Sequence, residues 1–126
     1  MQLFERRALV VEQHGDLRQT LHALLDHRGW FVMSTPRGLD AMTIASGLTP
    51  QLVLLDMQLL DLDPLGLVRT VRHACRDLNM KVFGMTTSPL IGSEERALRR
   101  AGLDGVWLKP FDLDLDGLES LTECYN

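Results

Sequence analysis

Residues 52–57 decide the fold class of this chain, and they read Leu-Val-Leu-Leu-Asp-Met. Four apolar residues in succession, without the alternation of a strand that faces water on one side, predict a strand buried on both faces. Such strands are typical of a parallel sheet covered by helices. Asp56 follows the apolar run directly, so we expect this strand to end in a carboxylate.

Four other apolar blocks share this continuous pattern. They are residues 8–11, 30–33, 82–85 and 106–108. Amphipathic segments separate the blocks, so strands alternate with helices along the chain. Five strands and five helices in this order predict an α/β fold, because right-handed crossovers turn such a repeat into a doubly wound parallel sheet. We find no linker or internal repeat and expect residues 1–126 to form one domain.

The five helices are predicted from apolar residues at helical spacing. Asp16 is the predicted N-cap of the first helix, with Gln19 as its capping-box partner, and Gly29 is its predicted stop. Ser93 is the predicted cap of the fourth helix, which Gly102 ends. The apolar positions are Leu17, Leu21, Leu24 and Leu25; Leu39, Met42 and Ala45; Leu67, Val71, Ala74 and Leu78; Ala97, Leu98 and Ala101; and Leu115, Leu118 and Leu121.

The composition excludes several classes of protein. A net charge of −4 leaves no basic footprint for nucleic acid or for an anionic membrane. The two cysteines, Cys75 and Cys124, lack Cys-x-x-Cys spacing, which argues against a disulfide framework and against a zinc site. No apolar run reaches the roughly 20 residues of a membrane span, and none has the form of a signal peptide. The sequence therefore predicts a cytoplasmic protein without direct binding to nucleic acid or membrane.

Polar side chains recur where the predicted strands end. These positions hold Glu12 and Gln13, Asp56, Thr86 and Thr87, and Lys109. In doubly wound sheets, ligands bind outside the carboxyl ends of the strands, where the strand order reverses. Carboxylates, hydroxyls and an ammonium group are the chemistry expected around a phosphoryl group with a divalent cation.

Four stretches of this sequence carry a family resemblance. Together, Val10–Gln13, Val53–Gln58, Met85–Thr87 and Leu108–Phe111 resemble the receiver domain of two-component response regulators, and the similarity covers nearly the whole chain. The resemblance implies a flavodoxin-like topology with strand order 2-1-3-4-5. It implies a phosphoprotein of a signalling pathway or phosphorelay rather than an enzyme, with at most self-phosphorylation and self-dephosphorylation chemistry. The downstream protein stays open, and so does a homodimer.

The resemblance also implies a role for each residue at the strand ends. Asp56 would accept a phosphoryl group from a histidine kinase or phosphotransfer protein, and the binding of a downstream partner would change. Thr86 would bond a phosphoryl oxygen, and Lys109 would form a salt bridge with it. Mg²⁺ would be held by Glu12, by Asp56 and by the backbone of Gln58. Gln13 would also face the metal.

Several residues depart from the family pattern. Gln13 is neutral where a second acid is usual, so we expect Mg²⁺ binding to be weak. Leu60 stands where a proline is usual, and Pro64 replaces a common glycine. Val106 takes the position of the aromatic residue that many receivers use as a switch, and Trp107 points to the other side of the strand. The alternative function is therefore a pseudo-receiver, an interaction module that ignores phosphate and metal.

A third function class rests on the acidic C-terminal residues. Residues 112–117 read Asp-Leu-Asp-Leu-Asp-Gly and are followed by Glu123, which fits the calcium-loop expression D-x-D-x-D-G-x₅-E. An EF-hand needs a helix on each side of the loop, whereas here a predicted strand precedes it and three residues follow. We therefore interpret these acids as favourable negative charge near the start of the last helix.

Overall fold

The computed structural model describes residues 6–75 and 79–109. The strands are β1 (Arg6–Val11), β2 (Trp30–Thr35), β3 (Leu52–Asp56), β4 (Lys81–Thr86) and β5 (Gly105–Leu108). The helices are α1 (Gly15–His27), α2 (Gly38–Leu48), α3 (Pro64–Ala74) and α4 (Gly92–Ala101). The five strands form one parallel sheet in the order β2-β1-β3-β4-β5, which confirms the predicted sheet and its strand order.

The described residues contain four helices rather than the five that were predicted. The predicted fifth helix, with Leu115, Leu118 and Leu121, lies outside the described residues, as do the calcium-like stretch 112–123 and Cys124. Within residues 6–75 and 79–109, no helix combines the length and apolar character that crossing a bilayer requires.

Strands β1, β3, β4 and β5 contribute to two cores, one on each face of the sheet, whereas β2 contributes to one of them. Leu9 and Val53 pack on one face with α2, α3 and α4, whereas Val10 and Leu54 pack on the other face with α1. All five residues of β3 are buried, because this central strand is covered on both sides. Burial on both faces confirms the prediction from the continuous apolar pattern for β3. The same prediction is wrong for the edge strand β2, where Phe31 and Met33 are 48% and 40% exposed.

The sheet register brings the strand ends to one edge. Val11 pairs with Leu55, so Glu12 and Asp56 follow at the same level of adjacent strands. Asp56 pairs with Met85, and Thr86 then pairs with Leu108.

Two predicted N-caps are wrong. Helix α1 begins at Gly15, one residue before Asp16, and α4 begins at Gly92, one residue before Ser93. The N-cap positions are His14 and Ile91, and neither side chain makes a capping hydrogen bond. The backbone carbonyl of His14 already accepts the first helical hydrogen bond, so Asp16 lies inside the first turn. Its charge still favours the positive end of the helix dipole.

Helix α2 receives its N-terminal cap from a distant loop. Asp61, in the β3–α3 loop, accepts hydrogen bonds from the backbone N–H groups of Gly38 (3.1 Å) and Leu39 (2.9 Å). The bond from Leu39 is the main reason that the pKa of Asp61 lies below its usual value. A Cβ atom at Gly38 would lie 3.1 Å from Leu62 Cδ1, so glycine allows the close approach of helix and loop. This contact fixes the loop that follows Asp56.

Helix α3 begins immediately after the same loop. Asp63 is its N-cap and accepts a hydrogen bond from the N–H of Gly66 at 3.1 Å. Pro64 occupies the first helical turn, where a missing N–H costs nothing and the fixed φ angle favours the helix. The unusual proline of the sequence is therefore a helix-starting residue.

Candidate functional site

Two carboxylates with no access to solvent lie at the carboxyl edge of the sheet. Glu12 follows β1 and is 0% exposed, and Asp56 ends β3 and is 1% exposed. Lys109 extends between them from the end of β5. Its Nζ lies 2.6 Å from Glu12 Oε1 and 3.2 Å from Asp56 Oδ1. A buried ammonium group thus compensates one of two buried negative charges.

One oxygen of this cluster has no partner. Asp56 Oδ1 accepts a hydrogen bond from the N–H of Gln58 at 2.9 Å, and Glu12 Oε2 accepts one from the N–H of His14 at 3.0 Å. Asp56 Oδ2 is buried and has no hydrogen-bond partner among the described residues. A buried polar atom without a partner costs free energy, so such an atom marks a place where an incoming group can bind.

Burial shifts the protonation of Glu12. Loss of solvent raises the pKa of this carboxyl above its usual value, although the Lys109 ammonium and the His14 N–H act in the opposite direction. The neighbouring carboxylate of Asp56 raises the pKa further. Three causes therefore raise the pKa of Glu12: desolvation, a side-chain hydrogen bond with Asp56 and the like charge of Asp56.

Thr86 ends β4 beside this cluster and is 3% exposed. Its Oγ1 accepts a hydrogen bond from the N–H of Ser88 at 3.2 Å, which leaves the hydroxyl hydrogen to be donated elsewhere. The backbone carbonyl of Thr86 accepts from the N–H of Lys109 at 2.6 Å. Thr86 therefore helps to place the lysine at the end of β5.

A chain of hydrogen bonds joins three loops above the carboxylates. Gln13 Nε2 donates to the backbone carbonyl of Gln58 at 3.0 Å. The side chain of Gln58 then makes two bonds to Thr87, since Nε2 donates to Oγ1 (2.6 Å) and Oε1 accepts from the backbone N–H (3.1 Å). We call this arrangement the Gln13–Gln58–Thr87 bridge. The sequence placed Gln13 and Thr87 at strand ends, and the resemblance implied a metal-binding role for the backbone of Gln58, but neither predicted the bonds between the three residues.

A family model describes nearly all of this chain. The model of the response regulator receiver domain matches residues 8–119. The chain belongs to this family. Receiver domains are signalling domains of two-component systems, so this domain is a signalling domain.

Similar proteins agree with this assignment. Response regulator MprA of Mycobacterium sp. (strain KMS) is 32% identical over 108 residues, which cover 86% of this chain and 46% of MprA. The receiver domain thus spans about half the length of that relative. Chemotaxis protein CheY4 of Vibrio cholerae has the same fold, with a TM-score of 0.83 at 19% identity over 95% of this chain and 98% of the other.

A second solved structure carries a metal. The receiver domain of sensor histidine kinase PA1611 from Pseudomonas aeruginosa PAO1, with magnesium coordinated in its active-site cleft, matches with a TM-score of 0.78. Its identity is 21%, and the match covers 96% of this chain and 98% of the other.

The oxygen atoms at the carboxyl edge of this receiver domain are of the type that binds Mg²⁺, but their present contacts do not arrange them around an ion. Carboxylates and a carbonyl are oxygen ligands that Mg²⁺ takes. However, the Lys109 ammonium contacts Glu12 and Asp56, and the amide N–H of Gln13 is directed at the Gln58 carbonyl. Among the described residues, no group of three or more His, Cys, Asp and Glu side chains is placed to hold a metal ion.

The fifth strand presents its side chains as the sequence predicted. Val106 packs with the core that α2, α3 and α4 cover, whereas Trp107 packs with the opposite core. Neighbouring residues of a strand point to opposite faces, so the tryptophan cannot take the place of Val106 without a shift of register.

Proposed function

We propose that Asp56 of this receiver domain accepts a phosphoryl group from a histidine kinase or phosphotransfer protein and that phosphorylation changes the binding of a downstream protein. One observation carries the proposal: Asp56 Oδ2 is buried and unpartnered, while an ammonium group lies 3.2 Å from Oδ1 of the same carboxylate. The proposal treats residues 1–126 as one receiver domain that acts in the cytoplasm.

The chemistry follows from these two contacts. Asp56 Oδ2 attacks the phosphorus atom, the new O–P bond forms, and the P–N bond of the phosphohistidine donor breaks, with the electron pair and a proton going to the imidazole. A carboxylate is a weak nucleophile, so the protein contributes mainly by positioning and by neutralising the phosphoryl oxygens. Lys109 supplies the positive charge, and the free hydroxyl hydrogen of Thr86 supplies a hydrogen bond.

Mg²⁺ has a minor place in this proposal. When bound, it would neutralise phosphoryl oxygens, and Glu12, Asp56 and the Gln58 carbonyl would hold it. An ion must first displace Lys109 from Glu12 and the Gln13 amide from Gln58, so we expect weak binding. The change Gln13→Asp restores a charged oxygen ligand and is expected to strengthen Mg²⁺ binding, as a titration followed by tryptophan fluorescence would show.

Treatment with acetyl phosphate tests the phosphoacceptor. Intact-mass measurement should show the mass of one added phosphoryl group on the wild type and none on Asp56→Asn. Asp16→Asn is the matched control, because it removes an exposed carboxylate in the first turn of α1, and it should react as the wild type does. If the wild type gains no phosphoryl group with or without Mg²⁺, the function is instead the phosphorylation-independent interaction module.

A further inference from the structure

The Gln13–Gln58–Thr87 bridge connects the loops that follow three neighbouring strands. Gln13 follows β1, Gln58 follows β3 and Thr87 follows β4, and these strands are adjacent in the sheet. Three hydrogen bonds of 3.0, 2.6 and 3.1 Å join them. The bridge therefore holds these loops together, as a divalent ion does when ligands from two of the loops bind it.

The charge balance of the pocket depends on the same glutamine. Glu12 and Asp56 are both buried, and Lys109 is the cation that contacts them. An acid at position 13 would bring a third carboxylate to this edge and would leave two negative charges uncompensated. The neutral amide avoids that repulsion, and its N–H group points at the carbonyl oxygen where a metal would need a lone pair. Gln13 is half-buried, so water would screen part of an added charge there, but the repulsion would act on the buried carboxylates of Glu12 and Asp56. Buried charge without a partner is unfavourable, so the neutral amide lets the pocket assemble without a metal.

We propose that Gln13 takes the place of the divalent cation in this receiver domain: its amide ties the β1–α1 loop to the β3–α3 loop, so the pocket is assembled without metal. Gln13 is a positioning residue, because it acts through Gln58 rather than on the phosphoryl group. As an extension that rests on the proposed function, phosphoryl transfer to Asp56 proceeds at the same rate whether or not Mg²⁺ is present.

The variant Gln13→Glu tests the bridge independently of phosphorylation. It keeps the shape of the side chain, removes the donor and adds a carboxylate. In EDTA, the unfolding equilibrium constant of the variant should rise by about tenfold, which corresponds to about 1.4 kcal/mol, and excess Mg²⁺ should restore it. The wild type should unfold at the same urea concentration in both solutions. Gln19→Glu makes the same charge change on the exposed side of α1 and should behave as the wild type does.

Two outcomes of this measurement would overturn the proposal. One is a wild type that Mg²⁺ stabilises as strongly as it stabilises Gln13→Glu, and the other is a Gln13→Glu protein that is as stable as the wild type in EDTA. If Gln13→Glu does not fold, Gln13→Ala replaces it, with hydrogen exchange as the measurement. The N–H of Thr87, which donates to Gln58 Oε1, should then exchange about tenfold faster than in the wild type. Unchanged exchange contradicts the proposal.

Phosphorylation by acetyl phosphate in EDTA and in Mg²⁺ separates this inference from the proposed function. Equal rates for the wild type, with a Mg²⁺ requirement appearing in Gln13→Glu, support both. A wild type that reacts only with Mg²⁺ supports the proposed function and overturns the metal-free pocket. A wild type that never reacts overturns the proposed function, and the unfolding measurement alone then decides whether Gln13 replaces the cation.

Discussion

The two edges of the sheet both carry a buried or half-buried cation, but they use it differently. At the amino edge, Arg72 of α3 donates to the carbonyls of Met80 and Gly102 and pairs with Asp104 at 2.7 Å. At the carboxyl edge, Lys109 contacts Glu12 and Asp56, and one oxygen there is left without a partner.

This difference indicates that the amino edge stabilises the fold, whereas the carboxyl edge holds the candidate reactive groups. The guanidinium group of Arg72 donates to three acceptors, which are the carbonyls of Met80 and Gly102 and the carboxylate of Asp104. Asp104 also accepts from the N–H of Val82 at 2.7 Å. Gly102 has a φ of +120°, and a Cβ atom there would lie 2.6 Å from Arg72 Nε, so the chain makes room for the arginine. A saturated arrangement of this kind holds the loops before β4 and β5. The lysine is a single point charge that can turn towards a new anion.

Lys109→Met should produce the largest loss of unfolding free energy. It tests how much the carboxyl edge contributes to stability. The variant leaves two buried carboxylates without a cation, which is expected to cost about 3–5 kcal/mol of unfolding free energy at neutral pH. Urea denaturation measures this cost. The double variant with Glu12→Gln should recover much of this unfolding free energy, since it removes one of the unpaired charges. Neither variant should be phosphorylated, because both lack the Lys109 ammonium group. Equal stability of Lys109→Met and wild type would contradict the assignment of a buried ion pair.

Arg72→Ala should have the next largest effect and would break the amino edge alone. It removes the donor of the carbonyls of Met80 and Gly102 and leaves Asp104 with the N–H of Val82 alone, at an expected cost of about 2–3 kcal/mol of unfolding free energy. Phosphorylation of the folded variant should be unchanged, because the site lies at the other edge. Arg69→Ala, at an exposed position of the same helix, is the control and should cost little. A loss of phosphorylation in folded Arg72→Ala would show that the two edges are not independent.

Asp61→Asn addresses the loop that connects the site to α2 and should have a smaller effect. Loss of a helix cap costs about 1 kcal/mol. The pKa of Asp61 is lowered in the folded protein, so its contribution is present above its ordinary pKa of 3.8 and is lost as the pH falls through the folded value. Stability measured against pH should therefore differ between wild type and variant at neutral pH and converge in acid. A constant difference at all pH values would mean that the charge of Asp61 is irrelevant.

Glu12 has the opposite pH dependence. Its pKa is raised in the folded protein, so the stability associated with its protonation is fully present below the ordinary value of 4.5 and is lost as the pH rises through the folded value. Glu12→Gln should remove this loss, and the stability of the variant should be flatter above pH 4.5 than that of the wild type. Urea denaturation at a series of pH values measures both curves, and parallel curves would contradict the raised pKa.

The sequence predicted most of the sheet but only part of the site. Continuous apolar blocks predict strands buried on both faces, and parallel strands place Glu12, Asp56 and Lys109 at one edge whatever their side chains do. The roles of these residues in phosphoryl transfer stay predictions. The cap of α2 was not predictable, because Asp61 lies 22 positions from Leu39. The bonds of Gln58 were missed for a related reason: rotamers within a pocket depend on neighbours that only the folded chain supplies.

The smallest expected effect concerns how far a change at the carboxyl edge reaches into the rest of the domain. In the pattern that the family resemblance implies, a phosphoryl group draws the hydroxyl of Thr86 inward and an aromatic residue of the fifth strand fills the space. Val106 stands at that position, and valine is too small and too restricted in rotamers to follow this movement. Trp107 packs in the opposite core and cannot replace it.

We therefore expect a phosphoryl mimic to change the amide shifts around Val106 and α4 only slightly, and to change partner affinity by less than the roughly 1–3 kcal/mol typical of allostery. Val106→Tyr supplies the missing aromatic side chain and should enlarge the response, whereas Val106→Ile, which adds bulk without a ring, should not. Amide shifts with and without the mimic compare the three proteins. A large rearrangement of α4 in the wild type would show that the site communicates with this face by another route, and that Val106 does not limit the response.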